Sequence, residues 1–385
     1  MRKIPWWSLL AFVLFLMGWP TPVRAEDAAD AAPVSGLEQE PHQGAVLCPP
    51  RSLGPGCVSS GPQETLYRMS RLGWRPDVDL FPGIRLTDEW FRLPQDKIFY
   101  AWVKADKARM YADPPDAEEP QRTIPPGFVY VSYTRVRTIG TRDWALVDLD
   151  RGLWMLMEDL EPARPSTFRG FYFVEPPSRP FGWVIYNGVQ PRVGPGWGYA
   201  AQPYGLRRYQ RVDILDRQEV DGEVWYRIGP DAWIPQYVVG VVEPRTEPPP
   251  GVPADRWIEI NVFEQTLSVY ENNRLVYATL ISSGTGVFYT RVGVFQIYEK
   301  LPLETMRGAF LADRSDFYYL EDVPWTMYYD EARAIHGAYW HDNFGFRESR
   351  GCVNLTITDA NWVFQWAREG DWVYVWDPSG QTPAE

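Results

Sequence analysis

Two short runs near the C-terminal end hold the residue types best able to do chemistry. They read Ile335-His336-Gly337-Ala338-Tyr339-Trp340-His341 and Ser349-Arg350-Gly351-Cys352-Val353-Asn354-Leu355. Two of the three histidines and one of the three cysteines of the chain fall inside these runs. A thiol is a strong nucleophile only as thiolate, and its ordinary pKa is about 8.5. An adjacent imidazole takes that proton in Cys–His acyl-transfer chemistry. His336 and Cys352 therefore read as base and nucleophile of one site. Gly351, lacking a Cβ, lets a substrate carbonyl approach the backbone beside the sulfur. The competing arrangement is a metal site from His336, His341 and Cys352 completed by Asp342. Its order does not match the spacing of zinc ligands, so no metal cofactor is expected there.

The elements around these runs are mostly short strands. Trp257-Ile-Glu-Ile260-Asn-Val262 and Thr266-Leu267-Ser-Val269-Tyr270 alternate as half-buried strands. Glu271-Asn272-Asn273-Arg274 reads as a hairpin turn leading into Leu275-Val276-Tyr277. Val292 to Tyr298 and Trp372 to Trp376 are further strands. Thr358 to about Glu369 is the clearest helix, with Thr358 as cap, an apolar side at Trp362, Val363, Phe364 and Trp366, and Gly370 as stop. The segment from about 300 to 325 lies where a cover for the site would sit, without a motif of its own.

Upstream, Pro-rich residues 245–256 mark the strongest boundary and predict an extended, semi-rigid spacer. Before it, two stretches share a pattern. Trp144 and Trp154 sit in strands closed by Glu161-Pro162, and Trp225 and Trp233 sit in strands closed by Glu243-Pro244. This spacing predicts two related β-modules, at 66–165 (with an N-terminal extension) and 166–244.

The chain has 385 residues, 45% of them apolar and 15% aromatic, with a net charge of −12 and a pI near 4.9. Nucleic-acid binding needs a basic footprint, so that class is set aside. Residues 1–25 have the layout of an export signal: Arg2-Lys3, the apolar run Trp6 to Trp19, then Val23-Arg24-Ala25. The run is shorter than the roughly 20 residues that span a bilayer. The expectation is a secreted, extracytoplasmic protein associated with the cell wall or periplasm, touching a membrane only through that segment if it stays uncleaved. Residues 26–65 read as a flexible Pro/Ala-rich leader, and 377–385 as a tail. Cys48 and Cys57 are close enough in sequence to pair as a disulfide, which leaves Cys352 as a free thiol in an oxidising compartment.

The His-Gly and Ser-x-Gly-Cys-x-Asn runs, with Trp257 to Leu267, Ser283-Gly284 and Gly293-Val-Phe295, resemble the YkuD-type L,D-transpeptidase catalytic domain over 257–376. The two Trp-paired stretches resemble bacterial SH3-like modules. The expected fold is thus mainly β: two small SH3-like β-barrel modules followed by a β-rich catalytic domain with one short helix. The resemblance implies a cysteine-dependent L,D-transpeptidase acting on peptidoglycan stem peptides and forming 3→3 cross-links through a Cys352 thioester. It implies His336 as base, the Gly337 carbonyl as the group orienting its ring, and N–H groups of Gly351 and Cys352 around an oxyanion. Ser349, Arg350, Tyr339, Trp340, His341 and Asn354 are expected at the substrate, with Asn354 bracing the loop and Tyr339 and Trp340 walling the pocket. The family often has His where this chain has Arg350. Arg350 cannot act as base, but could lower the thiol pKa or bind a carboxylate. An L,D-carboxypeptidase using the same residues, and a non-catalytic wall scaffold whose modules contact glycan, are the alternatives.

Overall fold

Strands whose side chains alternate between two buried faces dominate the chain, and two seven-stranded sheets result. The computed structural model describes residues 83–85, 98–104, 108–112, 119–148 and 151–383. The expected signal segment, the leader and the Cys48–Cys57 pair lie outside these residues. The strands that position the site are, in chain order, β1 (Phe99–Val103), β2 (Phe128–Tyr133), β3 (Leu160–Pro162), β4 (Phe171–Phe173), β5 (Trp257–Asn261), β6 (Thr266–Glu271), β7 (Arg274–Leu280), β8 (Gly293–Gln296), β9 (Glu299–Gly308), β10 (Tyr318–Asp330), β11 (Arg333–Gly337) and β12 (Val353–Leu355). Helix α1 (Ile357–Trp366) and strand β13 (Trp372–Trp376) complete the set.

The first sheet runs Gly83–Arg85, β4, β7, β6, β5, β13, β8. Its β6–β7 hairpin turns at Asn272 and Asn273, with φ of 54° and 58°. Two positive φ values in succession suit a two-residue hairpin loop, and Asn tolerates them better than most residues. The second sheet runs β12, β11, β10, β2, β1, β3, and β9 pairs with β10. Ile258, Ile260, Leu267 and Val269 of the first sheet meet Met327, Ile335, Val353 and Leu355 of the second, together with Ala360 and Val363 of α1, in one core.

Helix α1 begins earlier than its composition predicts. Thr356, rather than Thr358, is the cap: its side chain accepts the Asp359 N–H at 3.1 Å. Asp359 itself is buried and accepts from the Tyr277 hydroxyl (2.7 Å) and the Gly170 N–H (3.0 Å), which ties the helix start to the first sheet. The helix ends at Trp366, ahead of Gly370.

The two upstream stretches do share an element order. Each has a three-stranded meander (135–156; 216–235), a 3₁₀ turn (Met157–Asp159; Gln236–Val238) and a closing strand (Leu160–Pro162; Val239–Val242). Among the described residues no sheet closes into a barrel. The first stretch instead gives β1, β2 and β3 to the sheet that carries His336, because β2 pairs in parallel with the start of β10. Phe317 and Tyr319 bury against Val129, Val131 and Ile124 at that junction. The 245–256 run is likewise not a free spacer. Arg245 Nε lies 2.9 Å from both oxygens of buried Glu259, and Val252 is buried beside Trp257. No described helix is long and apolar enough to cross a membrane.

Candidate active site

His336 lies near the end of β11, and β12 runs beside it in parallel register, His336 opposite Asn354 and Ile335 opposite Val353. Cys352 is the residue just before β12, so the register carries it next to Ala334. Residues directly opposite share a face, and so do alternate residues along a strand. Ala334 lies two positions before His336 on the neighbouring strand, so the side chains of His336 and Cys352 share a face.

The His336 ring is buried, with Nδ1 3.2 Å from the Gly337 carbonyl oxygen. A carbonyl only accepts, so Nδ1 carries the proton and Nε2 keeps its lone pair. Burial lowers the imidazole pKa to about 4, against a smaller upward pull from that carbonyl. At neutral pH the ring is an uncharged base. Trp340, half-buried, lies beside it with ring centroids 5.7 Å apart.

Cys352 is a free, partly exposed thiol. Its Sγ donates to the Ala332 carbonyl at 3.8 Å and makes no hydrogen bond to His336. Burial pushes the thiol pKa up, while the Ala334 backbone and the Arg333 charge pull it back. The cation that acts on the sulfur is therefore Arg333. The expected one, Arg350, is exposed, with its guanidinium over the Tyr318 ring at 5.7 Å. Arg333 bonds Asp330 at 3.0 Å, and buried Asp330 also pairs with Arg291. Arg333 comes close enough to Gly351 that a Cβ there would meet its Nε at 3.4 Å.

The loop before the sulfur is held from three sides. Ser349 Oγ donates to the Cys352 carbonyl at 2.5 Å and accepts the Gly351 N–H at 3.2 Å. Buried Thr290 accepts from the Gly284 N–H and donates to the Gly351 carbonyl, both at 2.9 Å. Gly351 has φ of +113°, a left-handed conformation that a side chain rarely adopts. Because Ser349 takes its N–H, Gly351 is not a free oxyanion donor, contrary to expectation. The Cys352 N–H has no partner among the described residues.

Four residues expected at the substrate take other roles: Tyr339, His341, Asn354 and Ser349. Tyr339 does not wall a pocket. It is fully buried, stacked on Tyr100 at 3.7 Å, and its hydroxyl donates to the Glu321 carbonyl at 2.7 Å. Its stacking partner explains this, since Tyr100 comes from β1 of the upstream stretch. His341 serves the loop rather than a substrate: its Nδ1 accepts the Asn343 N–H at 3.1 Å, and its Nε2 lies 2.9 Å from the Asn354 amide. An accepting Nδ1 puts the ring proton on Nε2, so the Asn354 amide must present its oxygen there. Asn354 is buried, and its backbone bonds Ser282 in both directions at 2.9 Å, so it braces the loop and offers no surface to a ligand. Ser349 is buried in the same bracing role. Thr290 and Arg333 were missed by sequence reasoning. Neither carries a sequence signal: Arg333 reaches the sulfur, and Thr290 the Gly351 carbonyl, only through the fold. Among the described residues no group of three His, Cys, Asp or Glu side chains could hold a metal ion.

Comparison with known proteins bears on this same region. The YkuD family, described as the L,D-transpeptidase catalytic domain, matches residues 255–375. A putative L,D-transpeptidase, YciB of Bacillus subtilis (strain 168), is 25% identical over 127 residues, covering 28% of this chain and 59% of the relative, so the chain spans about six-tenths of that relative's length. The catalytic domain of an Enterococcus faecium L,D-transpeptidase, solved by NMR, is 26% identical, covering 32% of this chain and 97% of that one, with a TM-score of 0.29. An L,D-transpeptidase from Mycobacterium smegmatis is 18% identical, covering 56% of this chain and 91% of that one, with a TM-score of 0.30. The segment that holds His336, Gly351 and Cys352 is thus the one that matches the YkuD-type L,D-transpeptidase catalytic domain.

Proposed function

We propose that the chain is an exported peptidoglycan L,D-transpeptidase that works through a Cys352 thioester. The observation that carries this reading is the state of His336: uncharged, its proton fixed on Nδ1 by Gly337 and its Nε2 lone pair free, on the same sheet face as the only free thiol among the described residues. With the thiol pKa raised and the imidazole pKa lowered, the resting pair is neutral rather than an ion pair. Rotation about the Cys352 Cα–Cβ bond takes Sγ from Ala332 toward the base. As Sγ attacks the carbonyl of the third residue of a tetrapeptide stem, Nε2 takes the thiol proton. The oxyanion that forms is met by the Cys352 N–H; a donor of this kind is worth about a hundredfold or more in rate. Collapse breaks the peptide bond, and the imidazolium returns the proton to the departing D-alanine amine. An amine of a neighbouring stem then attacks the thioester, gives its proton to His336, and leaves a 3→3 cross-link. The sulfur recovers its proton from the imidazolium.

Mass spectrometry of muropeptides incubated with the protein tests this directly. The expected products are cross-linked dimers with wild type and none with Cys352→Ala. Tripeptides without dimers would instead mean that water resolves the thioester, which is the carboxypeptidase reaction. Turnover retained by Cys352→Ala would end the cysteine mechanism.

A further inference from the structure

On the face of β5, β6 and β13 turned away from the core, the alternate residues Glu259, Asn261, Ser268 and Trp376 floor a cavity of about 600 Å³. The wall facing them comes from residues 217–244 of the second upstream stretch and from Arg245, and neither His336 nor Cys352 lines the space. That volume falls within the range of about 300–1,000 Å³ common for small-ligand sites. The geometry points to a saccharide-binding site. The charges nearly cancel within the lining: Arg217 and Arg245 stand against Glu243, Glu259 and Glu264, and Arg245 holds both oxygens of Glu259 at 2.9 Å. Glu264 accepts from Gln236 Nε2 on one oxygen and from the Val241 N–H on the other, each at 2.9 Å. A site so balanced recognises a neutral ligand better than an ion.

What remains for a ligand is polar capacity beside aromatic faces. Each carboxylate oxygen of Glu264 can accept a further hydrogen bond. Asn261 uses its Oδ1 on the Phe263 and Glu264 N–H groups, which leaves its NH₂ as donor. Arg245 stacks over Trp376 at 5.0 Å and so fixes that ring in the cavity. Phe263 is 43% exposed at the rim, a large apolar ring that the fold itself does not use. Hydroxyls for the amide and carboxylate, and a C–H face for the two rings, describe a sugar. Its assignment to the glycan of the wall rests on the proposed function; the sugar chemistry itself does not.

The probe is chitotetraose, an uncharged oligomer of N-acetylglucosamine that carries no stem peptide, titrated calorimetrically into the full chain. Saturable binding is expected, weakened about tenfold or more by Trp376→Ala and severalfold by Phe263→Ser. Phe263 is a rim residue, so its replacement keeps the test open should Trp376→Ala fold poorly. Cys352→Ala should bind as wild type does, which separates this site from the transpeptidase reading: binding survives even if no turnover is found. Absence of saturable binding by wild type, or affinity unchanged in folded Trp376→Ala and Phe263→Ser, would overturn the assignment.

Discussion

At the scale of single residues, two groups set the pH behaviour of the site. As the proposed base, His336 must be unprotonated to act, and burial lowers its pKa to about 4. The acid limb of kcat/KM should therefore fall near pH 4 rather than near the ordinary histidine value of about 6.5. A limb at the ordinary value in a pH–rate profile would remove His336 as the base. The sulfur carries a second test. Arg333 favours the thiolate, so Arg333→Gln should raise the thiol pKa further and slow iodoacetamide alkylation of Cys352 at pH 8 by about threefold or more, whereas Arg350→Gln should leave it unchanged. The proposed pair stood out in the sequence because a thiol, a histidine and flanking glycines are rare together. Arg333 was not, since nothing in a linear sequence says that a residue three positions before the base turns toward a sulfur 19 positions after it. Tyr339 misled for a related reason: an aromatic beside a catalytic run looks like a pocket wall until its partner Tyr100 is seen.

At the scale of elements, the junction of β2 with β10 concentrates unusual chemistry. Glu321 is buried there, accepting from the Ser132 N–H at 3.0 Å and the Tyr319 hydroxyl at 3.1 Å. Burial raises its pKa to about 8, with the neighbouring Asp322 adding to the shift. The folded state thus holds a proton that the unfolded chain releases near pH 4.5. Stability is then highest at low pH within this window and is lost as pH rises from about 4.5 through 8. Glu321→Gln should flatten that slope, and denaturant titrations at pH 5 and pH 9 should show the variant gaining on wild type at the higher pH by an amount on the order of a few kcal/mol. Equal differences at both pH values would mean that the carboxyl is not protonated in the fold. The β6–β7 hairpin and the existence of α1 were readable from local signals, Asn-Asn and an apolar helix face. The pairing of β2 with β10 was not, because it joins segments that share no local pattern.

At the scale of the whole molecule, the sheet that carries His336 is built from two distant segments, 99–162 and 299–355. Excising residues 255–383 would strip β10 of β2 and leave Tyr339, Phe317 and Tyr319 without Tyr100 and Val129. Uncovering several large side chains costs about 2–3 kcal/mol each. That fragment should melt well below the chain that begins at residue 98, or show no cooperative transition, in a calorimetric scan. A fragment as stable as the longer chain would show the upstream strands to be dispensable. The semi-rigid spacer expected of the Pro-rich 245–256 run is instead packed against the sheet through Arg245 and Val252. Spacing within a stretch reports its own strands, and proline content reports local stiffness, but neither reports which distant edge a strand will join.

The Ser132–Glu321 bond ties residues 189 apart in sequence. During synthesis, Phe128–Tyr133 emerges long before Tyr318–Leu320 exists to cover its edge. Long-range pairing of this kind is slow, and an open edge recruits other chains while it waits. The nascent polypeptide therefore has its greatest exposure to misassembly late, when almost everything except its last strands has been made, and holding chaperones should matter most at that stage.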